Sequence, residues 1–284
     1  MSRYVYVNGQ YCNYKDSTTH VDDRGLQFSD GVYEVIGIWK SNPIDFPLHL
    51  DRLNRSMHEL SFSSVPSNKL IIIVSKEIIR LNKINYGTLY IQVNRGISKR
   101  NHIFPTNKKY TMHVIGKNGL SFRNSLDNNG ISAITTKDQR WDRRDIKSVS
   151  LLANVLAKQK AITHKSYESI LFDNDNYVTE ASTSNVWIVN QKNELVTHPT
   201  NKKILSGITR KRVLKIAEKL KINVHEKPFE IKDMYNASEV FLTGTTIGVK
   251  PVTKINNYNI SDCKIGPITL KLKDEYIKFL NKIN

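Results

Sequence analysis

Cysteine is scarce in this chain, with only Cys12 and Cys263 among its 284 residues. So few cysteines exclude a disulfide-stapled scaffold and a four-cysteine zinc site, and the eight histidines show no spacing typical of metal ligands. Long apolar runs are also missing, because the longest, residues 70–74, is far shorter than the roughly 20 residues that cross a bilayer. The N-terminus resembles a strand and turn rather than a secretory signal. We therefore predict a soluble, cytoplasmic protein with no metal site and no membrane partner.

Acidic residues are few as well: 26 Asp and Glu stand against 43 Lys and Arg, which gives a formal net charge of +17. Such a charge is typical of proteins that bind nucleic acids. However, the lysines are scattered through both halves of the chain, and no zinc finger, RNA-binding signature or basic zipper is present. We interpret the charge as background composition and predict no nucleic-acid partner.

Apolar periodicity predicts helices and strands in both halves of the chain. In the first half we expect helices at residues 49–60 and 68–82, and strands at 4–7, 32–39, 88–93 and 110–115. In the second half we expect helices at 148–165, 209–220 and 270–283, and strands at 130–134, 169–172, 177–179, 186–189 and 240–242. The helix at 148–165 would carry Val149, Leu152, Val155 and Leu156 on one face.

The best boundary between these halves is the segment Gly116-Lys117-Asn118-Gly119, which contains turn-forming residues between two apolar-periodic regions. It predicts a small N-terminal α/β domain at residues 1–116, a linker at 117–121 and a larger C-terminal domain at 122–284. Strands and helices are mixed in both domains, so the predicted fold class is α+β or α/β.

Common nucleotide and hydrolase motifs are absent: there is no Walker loop, dinucleotide GxGxxG, HExxH or serine nucleophile elbow. Instead, small and polar residues gather at the ends of predicted elements, at residues 145–148, 179–185, 205–210 and 243–246. Lys147 would serve Schiff-base chemistry if its environment favoured the neutral amine, although an exposed lysine is the commoner situation. The glycine turn at 205–210 offers backbone N–H groups to a phosphate, or is an ordinary helix start.

Together and in this order, these segments resemble the fold-type IV pyridoxal-phosphate (PLP) transaminases, and most closely the D-amino-acid (D-alanine) transaminases. The similarity extends to residues 23–34, 49–53 and 151–158. The resemblance implies the two-domain fold-type IV architecture and PLP as cofactor. It also implies that Lys147 is the catalytic residue, which holds PLP as a Schiff base and moves a proton between the substrate and the cofactor.

The resemblance assigns the other cofactor contacts too. Glu180 would pair with the pyridine nitrogen, and Arg52 would clamp the phosphate. The backbone of Ile208 and Thr209, the Thr209 hydroxyl and Thr245 would complete the phosphate site.

Substrate contacts follow from the same resemblance. Arg100 and His102 are similar to a pair that reaches from the neighbouring subunit to bind the substrate carboxylate together with Tyr33, so a homodimer is implied. Val35 and Thr246 would line the side-chain pocket. Without the resemblance, Arg100 and His102 would be interpreted as a solvated basic loop.

The implied reaction is a ping-pong exchange between a D-amino acid and a 2-oxo acid, from D-alanine and 2-oxoglutarate to pyruvate and D-glutamate. The alternatives within the same fold are a branched-chain L-amino-acid transaminase and an aminodeoxychorismate lyase. A nucleic-acid-binding protein on an inactive fold of this kind is the alternative from another class.

Overall fold

Two β-sheets organise the chain, and each belongs to its own structural unit. The computed structural model describes residues 3–106, 109–119 and 130–283. Unit 1 draws on Met1–Arg123, Ile146–Ser150 and Ile283–Asn284, and unit 2 on Asn124–Asp145 and Leu151–Lys282. Part of the predicted linker at 117–121, and the predicted domain start at 122, lie outside the described residues. The domain prediction assigned Lys147 to the C-terminal domain, whereas the segment around Lys147 groups with unit 1.

The sheet of unit 1 is antiparallel, with the strand order β2-β1-β6-β5-β3-β4. Its strands are β1 (Tyr4–Val7), β2 (Gln10–Asn13), β3 (Gly31–Trp39), β4 (Asn42–Pro43), β5 (Tyr86–Asn94) and β6 (Thr111–Asn118). Its helices are α1 (Arg24–Phe28), α2 (Phe46–Glu59) and α3 (Asn68–Leu81). The turn between β1 and β2 requires positive φ at Asn8 (47°) and Gly9 (100°), which this residue pair favours.

The two faces of this sheet differ because successive side chains in a strand alternate between them. One face packs under α2 and α3 and forms a core that includes Val32, Ile36 and Ile38 of β3 and Leu89 and Ile91 of β5. The residues between them turn to the other face, where Tyr33 pairs with Gln92 and Val35 pairs with Tyr90. The predicted site residues Tyr33 and Val35 therefore lie on the face opposite the core.

The sheet of unit 2 is mixed, with the order β12-β11-β10-β13-β14-β7-β8-β9, and β15 pairs with β14. Its strands are β7 (Ile131–Lys137), β8 (Glu168–Phe172), β9 (Val178–Ala181), β10 (Asn185–Val189), β11 (Leu195–Thr197), β12 (Val224–Glu226), β13 (Glu239–Gly244), β14 (Gly248–Ile255) and β15 (Tyr258–Asn259). Its helices are α4 (Leu152–Thr163), α5 (Ile208–Lys219), α6 (Ile231–Tyr235) and α7 (Pro267–Asn281). The predicted mixture of helices and strands is confirmed.

Helix α4 differs from the prediction in its start. It begins at Leu152 rather than at residue 148, because Ser148 forms a β-bridge with Val32. Leu152, Val155 and Leu156, which were predicted to share one face, are each 57–72% exposed, and the buried residues of the helix are Ala157 and Ala161. The apolar face of the helix is therefore not the face that it buries within the chain.

Within the described residues, no helix is both long enough and apolar enough to span a membrane.

Candidate active site

Lys147 lies in a short extended segment that is hydrogen-bonded to β3 within unit 1. The N–H of Tyr33 donates to the carbonyl of Lys147 at 2.9 Å, and the N–H of Val149 donates to the carbonyl of Gly31 at 3.0 Å. On the other side, the N–H of Lys147 donates to Oγ of the buried Ser56 on α2 at 3.3 Å. These bonds fix the backbone of the lysine against both a strand and a helix.

The side chain of Lys147 is half-buried and lies over an aromatic ring. Its Nζ is 4.3 Å from the centre of the Tyr33 ring, a cation–π distance. Tyr33 in turn stacks on Tyr90, with ring centres 5.5 Å apart. No carboxylate among the described residues lies within ion-pair distance of Nζ. The structure therefore brings two predicted site residues, Lys147 and Tyr33, into contact and leaves the lysine without a neutralising partner.

A row of hydrogen bonds along β5 holds the hydroxyl of Tyr90. The hydroxyl donates to Gln92 Oε1 at 2.7 Å, Gln92 Nε2 donates to Asn94 Oδ1 at 2.7 Å, and Asn94 Nδ2 donates to Asp23 Oδ1 at 2.8 Å. Burial, together with the nearby Tyr33, raises the pKa of Tyr90 well above its usual value, so it stays a neutral donor. The Tyr90 ring, on which Tyr33 stacks, is thereby held in place through its hydroxyl group.

Arg52 is buried in a charged cluster with Glu34 and His49. Its Nε and Nη2 each donate to the Glu34 carboxylate at 2.7 Å, and His49 Nδ1 lies 2.7 Å from the same carboxylate. Burial alone would raise the pKa of Glu34, but Arg52 and His49 lower it to about 2. Burial lowers the pKa of His49. Glu34 is thus a carboxylate that orients Arg52.

Sequence reasoning missed Glu34 and His49, although both carried a signal. Glu34 occupies a position of β3 whose parity matches Val32 and Ile36, so a charged group falls on the core face. Such a group requires a buried partner. His49 and Arg52 are three residues apart on α2 and share one helix face, which supplies that partner.

Arg100 and His102 lie side by side on the loop that follows β5, and both are exposed. The Cζ of Arg100 is 4.7 Å from the centre of the Phe28 ring, and the His102 and Phe28 ring centres are 5.3 Å apart. Among the described residues, Arg100 makes no hydrogen bond or ion pair. The structure thus brings this predicted pair together, and no contact among the described residues links it to Tyr33 of the same chain.

In unit 2, Glu180 ends β9 as a buried carboxylate with several partners. It forms a close ion pair with Arg140, and it accepts hydrogen bonds from Asn185 Nδ2 at 3.0 Å and from the N–H of Leu205 at 3.2 Å. Burial raises the pKa of Glu180, and the bond to Arg140 opposes that rise. The carboxylate is therefore fixed in orientation by three different segments.

Arg140 is the residue in unit 2 that sequence reasoning missed. Its Nη2 donates to Asp138 at 2.8 Å while its Nη1 binds Glu180, so it bridges two carboxylates. Asp138 also accepts a hydrogen bond from the hydroxyl of Thr179, which precedes Glu180, at 2.8 Å. The available signal was an Asp-x-Arg sequence a few residues after the strand predicted at 130–134, and directly after β7 as the structure has it.

The N-terminus of α5 lies close to the same carboxylate. Asn185 Nδ2 also donates to the carbonyl of Leu205 at 2.9 Å, and a Cβ on Gly207 would lie only 2.1 Å from Asn185 Oδ1. Only glycine fits at that distance. The first N–H groups of a helix lack partners within it, and those of Ile208 and Thr209 bond to no other described residue. Two unsatisfied donors thus stand near Glu180.

Thr245 and Thr246 form the turn between β13 and β14. Thr245 is half-buried and Thr246 is exposed. The turn approaches the strand that starts after Glu180, since Thr243 pairs with Asn185 and a Cβ on Gly244 would lie 3.5 Å from Ser184. One region of unit 2 therefore contains Glu180, the start of α5 and this turn.

Within the described residues, no group of three or more His, Cys, Asp or Glu side chains is arranged to hold a metal ion. What these residues offer is an amine, a buried carboxylate and several N–H donors rather than metal ligands.

Comparison with known proteins assigns the chain to a family. Residues 31–255 match the class IV aminotransferase family. The D-alanine aminotransferase of Staphylococcus haemolyticus is 36% identical over 278 residues, which cover 97% of each chain. Two solved branched-chain aminotransferases share the fold: that of Escherichia coli (TM-score 0.92, 23% identity, 99% of this chain and 95% of that one) and that of Thermobaculum terrenum in its PLP form (0.87, 21%, 100% and 95%). These likenesses confirm the predicted fold class, and the chain belongs to the class IV aminotransferases.

Proposed function

We propose that this aminotransferase uses PLP to exchange the amino group between a D-amino acid and a 2-oxo acid, with D-alanine and D-glutamate as its amino acids and pyruvate and 2-oxoglutarate as its oxo acids. The observation that carries the choice of D-amino acids is the near-full-length similarity to the D-alanine aminotransferase of Staphylococcus haemolyticus. The solved branched-chain enzymes are less than 25% identical to this chain, so they show only that the fold is shared.

The residues present fit PLP. Among the described residues, Lys147 supplies an amine without a carboxylate partner, Glu180 supplies a buried carboxylate, and the start of α5 supplies unpaired N–H donors. When bound, PLP supplies an electron sink that stabilises negative charge at the substrate α-carbon. In this proposal the Lys147 amine would hold the cofactor covalently and, when free, would move a proton at that carbon.

Glu180 holds the proton on the cofactor's ring nitrogen. A carboxylate performs this task only if it stays ionised and correctly aimed, and both conditions depend on its neighbours. Arg140 favours the ionised form, while Asn185 and the N–H of Leu205 set the direction of its oxygens. Arg140 is therefore a positioning residue in the proposed site.

The phosphate contacts are assigned to Arg52, to the start of α5 and to Thr245. Arg52 is held in one orientation by Glu34, and a guanidinium suits a phosphate because its donors form a planar fork. The N–H groups of Ile208 and Thr209 and the Thr209 hydroxyl stand at a helix N-terminus, where the dipole favours an anion. Thr245 adds a hydroxyl from the neighbouring turn.

The substrate carboxylate is assigned to Tyr33 together with Arg100 and His102 of the partner subunit, so the active species is a homodimer. Arg100 is exposed and has no carboxylate partner in the part of the chain that the structure describes, which supports this role because its charge remains available to an anion. Val35 and Thr246 line the side-chain pocket in this proposal, and the location is cytoplasmic.

The test is a chiral substrate screen on the purified holoenzyme. D-alanine with 2-oxoglutarate should turn over at least about a hundredfold faster, as kcat/KM, than L-leucine with 2-oxoglutarate, a difference of roughly 3 kcal/mol in transition-state binding. Aminodeoxychorismate should yield no aminobenzoate. Preference for L-leucine, or release of aminobenzoate, would overturn the proposal in favour of the corresponding alternative.

A further inference from the structure

One aromatic ring, that of Phe28, contacts Arg24 of α1 and both Arg100 and His102 of the loop that follows β5. Phe28, half-buried at the end of α1, lies within 4.7 Å of the Cζ atoms of both Arg24 and Arg100, measured to its ring centre. The His102 ring centre is 5.3 Å away. The proposed function uses Arg100 and His102, but it assigns nothing to Phe28.

Helix α1 is anchored at its start, so the position of Phe28 is fixed. The Asp23 side chain is fully buried and caps the helix by accepting from the N–H of Gly25 at 2.8 Å. Asn94 Nδ2 donates to Asp23 at 2.8 Å and the Thr111 hydroxyl donates to it at 2.6 Å, which ties the helix to β5 and β6. A five-residue helix gains its rigidity from such tertiary bonds rather than from its own length.

The loop is anchored to the same helix at the residue between the pair. Arg24 is buried, binds Asp30 through Nε at 2.8 Å, and donates through Nη1 to the carbonyl of Asn101 at 2.6 Å. Arg100 and His102 flank Asn101, and both of them contact the Phe28 ring. One helix therefore holds the loop by its backbone and the two side chains by a ring.

We propose that Phe28 is a positioning residue that holds Arg100 and His102 together for one substrate carboxylate. This inference rests on the proposed function. A ring attracts a guanidinium through its π-face without occupying the N–H donors. A carboxylate partner would both occupy those donors and neutralise the charge. Phe28 thus orders the arginine while leaving it able to bind an anion.

The experiment compares Phe28→Leu and Phe28→Tyr with the wild-type holoenzyme. Leu keeps apolar volume without a ring, and Tyr keeps the ring. We expect Phe28→Leu to raise KM for both D-alanine and 2-oxoglutarate by about five- to tenfold, in line with the loss of one or two cation–π contacts, with kcat changed less and bound PLP unchanged. Phe28→Tyr should restore KM to within about twofold of wild type.

The matched control is Phe279→Leu, because Phe279 is also half-buried and also lies over an arginine, with Arg212 Cζ 3.8 Å from its ring centre. Its KM values should not change. Equal changes in KM for Phe279→Leu and Phe28→Leu would overturn the inference, as would an unchanged KM in Phe28→Leu.

A double-mutant cycle separates positioning from general destabilisation. In an Arg100→Ala background, Phe28→Leu should raise KM by a smaller factor than it does in the wild type, because one of the two groups it positions is gone. Independent, multiplicative effects would contradict a positioning role. Absence of D-amino-acid turnover in the wild type would instead refute the proposed function, so the two failures are distinguishable.

Discussion

The carboxylate of Glu34 accepts two hydrogen bonds of 2.7 Å from Arg52, one from Nε and one from Nη2. Both side chains are buried, at 1% and 7% exposed, so the pair is formed away from water. Two of the three guanidinium nitrogens are thereby engaged, and the plane of the group is set before any ligand binds. A buried ion pair of this kind serves to orient its two side chains more than to stabilise the fold.

Glu34→Gln should weaken PLP binding by about tenfold, because the amide keeps the shape of the carboxylate but can no longer accept both hydrogen bonds or hold the charge of Arg52. The measurement is the PLP dissociation constant after cofactor removal, read from visible absorbance. Glu77→Gln is the matched control, since Glu77 also binds an arginine through two oxygens, but on the surface of α3. An unchanged dissociation constant in Glu34→Gln would contradict the positioning of Arg52.

The same carboxylate predicts a pH dependence of folding stability. The pKa of Glu34 falls from 4.5 to about 2 in the folded chain, so its contribution is complete above pH 4.5 and is lost as the pH falls toward 2. The difference corresponds to roughly 3 kcal/mol. His49 titrates in the same cluster. The two proteins to compare are therefore the His49→Gln variant and the double variant His49→Gln, Glu34→Gln.

In the His49→Gln background, the unfolding midpoints of the two variants should differ most at pH 5–7, and the difference should narrow steadily as the pH falls from 4.5 to 3. Thermal unfolding across this range measures the effect. A gap that stays constant down to pH 3 would show that Glu34 is not ionised in the folded chain.

Lys147→Ala should abolish both transamination and the visible absorbance of the lysine-bound cofactor. Removal of a nucleophile that also transfers a proton costs about a thousandfold or more in rate. Lys158→Ala is the matched control, because Lys158 is also half-buried with Nζ 4.4 Å from a ring centre, that of Tyr167. Turnover by Lys147→Ala, or equal loss of absorbance in both variants, would refute the assignment.

The sequence pattern alone was sufficient to predict the helices and strands whose buried residues repeat with the period of a helix or a strand. The strand predicted at 32–39 is β3, and the helix predicted at 68–82 is α3, because each carries an apolar face that packs in one core. The helix predicted at 148–165 failed at its start, where Ser148 pairs with Val32. Val32 is more than a hundred residues away in the sequence, so the residues around Ser148 do not predict this pairing.

The residues of the candidate site also fall into two groups, those that the sequence predicted and those that only the structure revealed. Lys147, Glu180 and the start of α5 follow from motifs, and their roles remain predictions. The groups that hold them came only from the fold. Arg140 reaches Glu180 across 40 positions of sequence, and Glu34 reaches Arg52 across 18. A charged residue on an apolar face signals that a partner exists, but it does not identify the partner.

Helix α4 presents an apolar face that no described residue covers. Leu152, Val155 and Leu156 are 72%, 58% and 57% exposed, and Ile162 follows one heptad after Val155 with 55% exposed. An apolar stripe of this spacing on a helix is typical of a face that packs against another surface. The proposed homodimer supplies such a surface in the form of a second copy of the chain.

Val155→Asp should therefore raise the dissociation constant of the homodimer by about tenfold or more, because it buries a charge at the contact. Sedimentation at several protein concentrations measures the dimer, and the specific activity should fall on dilution, since Arg100 and His102 of the partner subunit would leave the site. Val65→Asp is the control, because Val65 is also an exposed apolar residue, 46% accessible, and lies outside α4. Val65→Asp should sediment as wild type, and if Val155→Asp does so as well at every concentration, the dimer contact lies elsewhere than on α4.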